Sequence, residues 1–107
     1  MEKGIKAARI VDQVRDYIAE WTHEDLVGYI FSITQVTLST DMRLATAWVE
    51  VYDEKDQQKV LNFLKKNQGK YQRQLNSKAG KLAMLKVQFQ ADESEKFQKQ
   101  FDNLLMS

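Results

Sequence analysis

Val60-Leu61-Asn62-Phe63-Leu64-Lys65-Lys66-Asn67-Gln68-Gly69-Lys70-Tyr71-Gln72-Arg73-Gln74-Leu75 reads as one helix that bends and continues. Val60, Leu61 and Leu64 share an apolar stripe, and helical spacing resumes past the break through Tyr71, Leu75, Ala79 and Leu82. Asn67-Gln68-Gly69 interrupts the stripe. Glycine costs about 1 kcal/mol in a helix relative to alanine, and Asn and Gly both tolerate non-helical dihedrals. The spacing predicts a kink, with Lys70, Arg73, Ser77 and Lys81 on the side opposite the apolar stripe.

This element lies within a segment of segregated charge. From Gln57 to Ala91 there is no Asp or Glu, while Lys59, Lys65, Lys66, Lys70, Arg73, Lys78, Lys81 and Lys86 fall inside it. The whole chain has 16 basic and 15 acidic residues and a formal net charge of +1, so the rest of it is distinctly acidic. Such a layout offers a polyanion one positive face while the remaining surface repels it.

Working outward, Ile5, Ala8, Val11, Val14 or Arg15, Ile18 and Trp21 predict an amphipathic helix that ends at the polar run Thr22-His23-Glu24-Asp25. β-branched and aromatic residues then dominate. Phe31 and Ile33 occupy one phase of a period-two alternation and Val36 and Leu38 the other, so a bulge near Thr34 and Gln35 would restore a single buried face. After the polar break Ser39-Thr40-Asp41-Met42 a second strand, Leu44 to Tyr52, places Ala45, Ala47, Val49 and Val51 on one face and Thr46, Trp48, Glu50 and Tyr52 on the other. Asp53 is placed to cap the kinked helix, with Glu54 and Asp56 in its first turn. Leu85, Val87, Phe89 and Ala91 predict a third strand. Phe97, Phe101, Leu104 and Leu105 predict a last helix, started at Asp92-Glu93-Ser94-Glu95.

A chain of 107 residues, 43% hydrophobic and 29% charged, fits a single domain over 1–107 with a modest core. No apolar run reaches the ~20 residues of a membrane span, and Met1 to Lys6 lacks the apolar stretch of a secretory signal, so a cytoplasmic location is expected. There is no cysteine and only one histidine, His23. Cysteine-based metal sites and thiol nucleophiles are thereby excluded, and a triad is improbable. His23-Glu24-Asp25 has acid-base residue types but no second cluster to complete a site, so it reads as a polar loop. Four glycines, at 4, 28, 69 and 80, form no phosphate-cradling cluster. Asp53-Glu54-x-Asp56 is explained by capping without a metal. Neither enzyme activity, a cofactor nor a small-molecule substrate is expected.

The order helix, strand, strand, helix, kink, helix, strand, helix resembles the ribosome-binding factor A family from Arg9-Ile10 to Asp92. The resemblance is densest over Val27-Gly28, Ile33, Val36, Leu38-Ser39-Thr40-Asp41 and Ala45-Thr46-Ala47-Trp48-Val49. These match the family's apolar strand ending in Ser-x-Asp and its Ala-x-x-x-Val strand. A second block joins Gly69, Arg73 and Leu75 to Val87-x-Phe89-x-x-Asp92. The resemblance implies an α+β, KH-like type II fold, with a three-stranded sheet packed against helices and a helical kink replacing the RNA-clamping Gly-x-x-Gly loop. The family's kink reads Ala-x-Gly, and here Asn67 stands in place of the alanine. Lys70-Tyr71-Gln72 replaces the family's Phe-Ile-Arg, and the prolines typical before two of its strands are missing, which marks a divergent member. The implied function is binding to the small ribosomal subunit and its ribosomal RNA late in assembly, as a monomer.

Residues and resemblance point to one set of RNA contacts: Lys65, Lys66, Asn67, Gly69, Lys70, Arg73, Lys78 and Lys81, with Arg43 beside the first turn. Lysine and arginine neutralise phosphates, and a bend with free amides can approach the RNA backbone. Tyr71 has the chemistry to stack on a base, but its spacing with Leu75 places it in the core. Two rival readings are a factor that silences assembled ribosomes and a protein-interaction module using the Trp48 and Tyr52 face of the sheet.

Overall fold

A computed structural model of the chain describes residues 2–78 and 80–94, with the backbone alone at 2–6 and 81. In chain order the elements are α1 (Glu2–Asp25), β1 (Phe31–Leu38), β2 (Leu44–Val51), α2 (Glu54–Lys66), α3 (Gln68–Asn76), a 3-10 turn (Gly80–Met84) and β3 (Lys86–Ala91). β1 and β2 form an antiparallel hairpin running from Phe31 opposite Val51 to Leu38 opposite Ala45. The register shifts between Ile33 and Gln35, so the expected bulge falls at Thr34 and brings Phe31, Ile33 and Val36 onto one buried face. β3 lies on the other side of β2 and runs parallel to it, Leu44 opposite Lys86 through Val49 opposite Ala91. A parallel neighbour demands a crossover, and α2, α3 and the 3-10 turn supply it.

The core lies between one sheet face and the helices. Ile33, Val36, Ala45, Ala47, Val49, Val87 and Phe89 meet Ile10, Val14 and Ile18 of α1, Val60, Leu61 and Leu64 of α2, and Tyr71 and Leu75 of α3. As the sequence predicts, Asp53 caps α2, its carboxylate accepting from Lys55 N at 3.1 Å.

Two helices end elsewhere than the spacing predicts. α1 buries Ile10, Val14, Ile18 and Thr22, while Ala8 is exposed, so its inner stripe is rotated from the expected one. It also continues through Thr22-His23-Glu24-Asp25, because those polar groups bond back onto the helix. Thr22 Oγ1 donates to Ile18 O at 2.7 Å, and the His23 ring sits 2.6 Å from Ala19 O and 3.0 Å from Phe31 O. At the other end, α3 stops at Asn76. The Asn76 amide donates to Leu82 O (3.1 Å) and Leu85 O (2.9 Å), and Leu82 reaches the core from the separate 3-10 turn. Ala79 and the helix expected over Phe97, Phe101, Leu104 and Leu105 lie outside the described residues.

Candidate nucleic-acid interface

The bend is made by one residue. Asn67 has φ −99° and ψ 11°, in the bridge region between helix and strand dihedrals. Its N–H and its side-chain amide both donate to Phe63 O, at 3.0 and 2.8 Å, closing α2. Its carbonyl accepts from Lys70 N (3.0 Å) and Tyr71 N (3.3 Å), opening α3. Asn therefore serves as the stop of one helix and the start of the next, which an alanine could do only with its backbone. No side chain caps the α3 N-terminus.

Gly69 plays a different part from the one its residue type suggests. It is exposed in the first turn of α3, has no left-handed dihedral, and a Cβ there would lie 3.5 Å from an Arg73 guanidinium nitrogen, an ordinary contact. The helix does not need a glycine here. Gly69→Ala is expected to raise stability by about 0.5–1 kcal/mol, read as a higher urea midpoint. A lower midpoint would refute this account of the bend.

Lys65 and Lys66 occupy the exposed last turn of α2, where positive charge also suits the helix dipole. Arg73 is exposed one turn beyond Gly69, with its guanidinium beside the glycine backbone. The other predicted contacts are arranged differently. Lys70 Nζ is paired at 2.9 Å with Asp25, which α1 delivers from outside the acid-free segment. Tyr71 OH donates to the same carboxylate oxygen at 2.7 Å. The Lys70 ammonium, then the Tyr71 hydroxyl, hold the Asp25 carboxyl below the usual range, while burial, then Asp25, push the Tyr71 hydroxyl up. Tyr71 is fully buried with its ring edge-on to Phe89 at 5.8 Å, so it is core and not a stacking platform.

Lys78 is half-buried. Its ammonium lies 4.8 Å from the Tyr17 ring centroid and 5.9 Å from that of Trp21, two stacked rings of α1. Lys81 is in the 3-10 turn, so Lys70, Arg73 and Lys81 do not share a helical face as the spacing predicts. Arg43 is exposed on another element, its carbonyl accepting from Lys86 N at 2.8 Å, which places it beside the start of β3. The group that the structure brings together at the bend is thus Lys65, Lys66, Asn67, Gly69, Lys70 and Arg73, with Asp25 as the partner that sequence reasoning missed. No local pattern marks that partner, since Asp25 meets Lys70 across 45 positions of chain.

Two helices joined at a single bend, and crossing from β2 to a parallel β3, can be compared with known proteins. The family model described as ribosome-binding factor A matches residues 5–105. The chain belongs to the ribosome-binding factor A family. Ribosome-binding factor A of Zymomonas mobilis is 30% identical over 110 residues, covering 97% of this chain and 78% of that protein. The Novosphingobium aromaticivorans protein of the same name is 26% identical over 109 residues, covering 96% and 81%. The crystal structure of ribosome-binding factor A from Thermus thermophilus superposes with a TM-score of 0.68 at 17% identity, covering 79% of this chain and 94% of that one. The expected KH-like α+β fold is therefore borne out, with α2, Asn67 and α3 as its helix-kink-helix. Membership makes the chain a ribosome-binding factor, of a family associated with ribosome biogenesis and RNA binding. Among the described residues, no helix is long and apolar enough to cross a membrane.

Proposed function

We propose that this member of the ribosome-binding factor A family is a small-subunit assembly factor. It acts without an enzymatic step, as a cytoplasmic monomer, and lays its α2–Asn67–α3 element on small-subunit ribosomal RNA late in biogenesis. The observation that carries this reading is the bend itself: Lys65, Lys66 and Arg73 are exposed around an uncapped helix N-terminus at Gly69, within 35 residues that hold no acid. Phosphates suit such a surface, since lysine and arginine release counterions on binding them and helix-start amides donate to their oxygens. Asp25 offsets one charge at the bend, Lys70, and leaves Lys65, Lys66 and Arg73 to the solvent side. Lys78, Lys81 and Arg43 are secondary contacts in this reading, outside the bend.

The proposal is tested by co-sedimentation with purified small subunits in immature and mature forms at low salt. Preferential recovery with immature particles is the expected result. Equal or better recovery with mature, idle particles would overturn the assembly role in favour of ribosome silencing.

A further inference from the structure

The described residues expose four large hydrophobic side chains, and three of them belong to the segments at one end of the β1–β2 hairpin: Val27 at 83%, Ile30 at 71% and Tyr52 at 82% exposure. They are held there by ordered backbone. Tyr52 N donates to Ile30 O at 2.9 Å, extending the hairpin one pair beyond Phe31 and Val51. Phe31 is buried in the core and Val51 is packed against it, so period-two alternation turns Ile30 and Tyr52 to the sheet face opposite the described helices, side by side as cross-strand neighbours. Val27 projects from a turn closed by Tyr29 N to Leu26 O at 3.3 Å, with Gly28 at φ +98° in its third position, as a type II turn requires. Single exposed hydrophobes are ordinary, but adjacent ones on a fixed backbone mark an interaction surface.

The charge around this end selects the occupant. Residues 16–55 carry eight acids, among them Glu24, Glu50, Asp53 and Glu54, against Arg43 and Lys55; Lys55 pairs with Asp53 at 3.6 Å and Lys70 with Asp25, so the balance stays acidic. Arg43 precedes β2 and Tyr52 follows it, so the two stand about 30 Å apart at the strand's rise per residue. Glu50 shares the outer face of β2 with Tyr52, and Glu54 is exposed in the first turn of α2. RNA and anionic lipid are repelled by such a rim. The apolar residues of α2 and α3 that a second copy would bring, Val60, Leu61, Leu64, Tyr71 and Leu75, are buried, and its one exposed anchor among the described residues of the basic segment is Met84 beside Lys86, an occupant that the cross-link below tells apart.

We infer that the end of the sheet formed by Val27, Ile30 and Tyr52, with its acidic surroundings, docks a lysine- and arginine-rich protein segment that inserts an apolar side chain between Ile30 and Tyr52. This end adjoins the bend through Asp25, which lies two residues before Val27 and holds Lys70, so the chain would bridge RNA at α2–α3 and a basic protein at this end. The function proposed above places the partner on the same particle, and the test separates the two readings.

A benzophenone amino acid is placed at position 52 in one variant and at position 73 in another. Each is bound to purified immature small subunits and irradiated, and the adducts are identified by mass spectrometry. Position 52 is expected to attach to a net-basic peptide of a subunit protein. Attachment of position 52 to RNA, to a second copy of the chain, or to nothing overturns the inference, whatever position 73 shows. If position 73 fails to attach to RNA while position 52 attaches to a basic peptide, the RNA reading falls and this one stands. The double variant Ile30→Ser, Tyr52→Ser removes side chains that do not pack in the core. It is expected to retain the wild-type melting temperature and to bind the particle about tenfold more weakly. Undiminished binding would equally overturn the inference.

Discussion

Replacing Lys65, Lys66 and Arg73 together with alanine should weaken binding to small-subunit RNA about a hundredfold at physiological salt. The magnitude follows from counterion release: each neutralised phosphate contributes about 0.9 to the slope of log affinity against log salt, so three lost contacts remove a slope of about 2.7. Between 1 M and 0.15 M salt that slope amounts to roughly two decades in affinity. All three side chains are exposed, and their removal leaves the core untouched, so stability should change by no more than about 0.5 kcal/mol. The measurement is a salt titration of binding for both proteins. Parallel salt slopes would show that these cations do not meet phosphate. Lys70→Ala alone should have a smaller effect, because its ammonium is already shared with Asp25.

Tyr71→Ala should cost about 3–5 kcal/mol of folding stability, the range for truncating a buried aromatic. The ring is fully buried against Phe89, and the hydroxyl meets Asp25 at 2.7 Å, so the substitution opens a cavity and breaks a hydrogen bond to a carboxylate. Tyr71→Phe isolates the second loss and should cost about 1 kcal/mol. It carries a pH signature as well. Asp25 is held below its ordinary range chiefly by Lys70 and next by Tyr71, so its contribution is complete above about pH 4 and is lost as pH falls through the lower folded-state value. Removing the hydroxyl should therefore flatten the acid side of the stability profile, seen by urea unfolding at pH 7 and pH 3. An equal loss of stability at both pH values would assign the hydroxyl a role independent of Asp25.

The strands were legible because their signals are local. The change of phase between Ile33 and Val36 requires a bulge, and the structure puts it at Thr34. Asp53 ahead of two acids announces a helix start, and it caps α2. The α2–α3 bend was legible for the same reason, although Asn67 and not Gly69 makes it. What stayed hidden depends on partners distant in sequence or on side chains bonding to backbone. Thr22 and His23 look like helix breakers until their bonds to Ile18 and Ala19 are seen. Asn76 looks like mid-helix until it is found holding Leu82 and Leu85. The acid-free stretch concealed its own counter-charge, because Asp25 arrives from α1. No alternation of residues states that β3 runs parallel to β2.

That parallel strand bears on how the molecule assembles. β1 and β2 are joined by a short turn, with Ser39 N bonded to Leu44 O at 2.9 Å, and such a hairpin closes in about 1–10 μs. β3 has no such shortcut, because it pairs only after the chain from Tyr52 to Leu85 has folded back, and the RNA-facing bend is part of that returning chain. Its edge is sealed from the same place, with Gln72 Oε1 accepting from Val87 N at 3.3 Å. α3 is thereby tied to the closing strand as well as to α1, and these distant contacts are of the kind that form more slowly than a local hairpin.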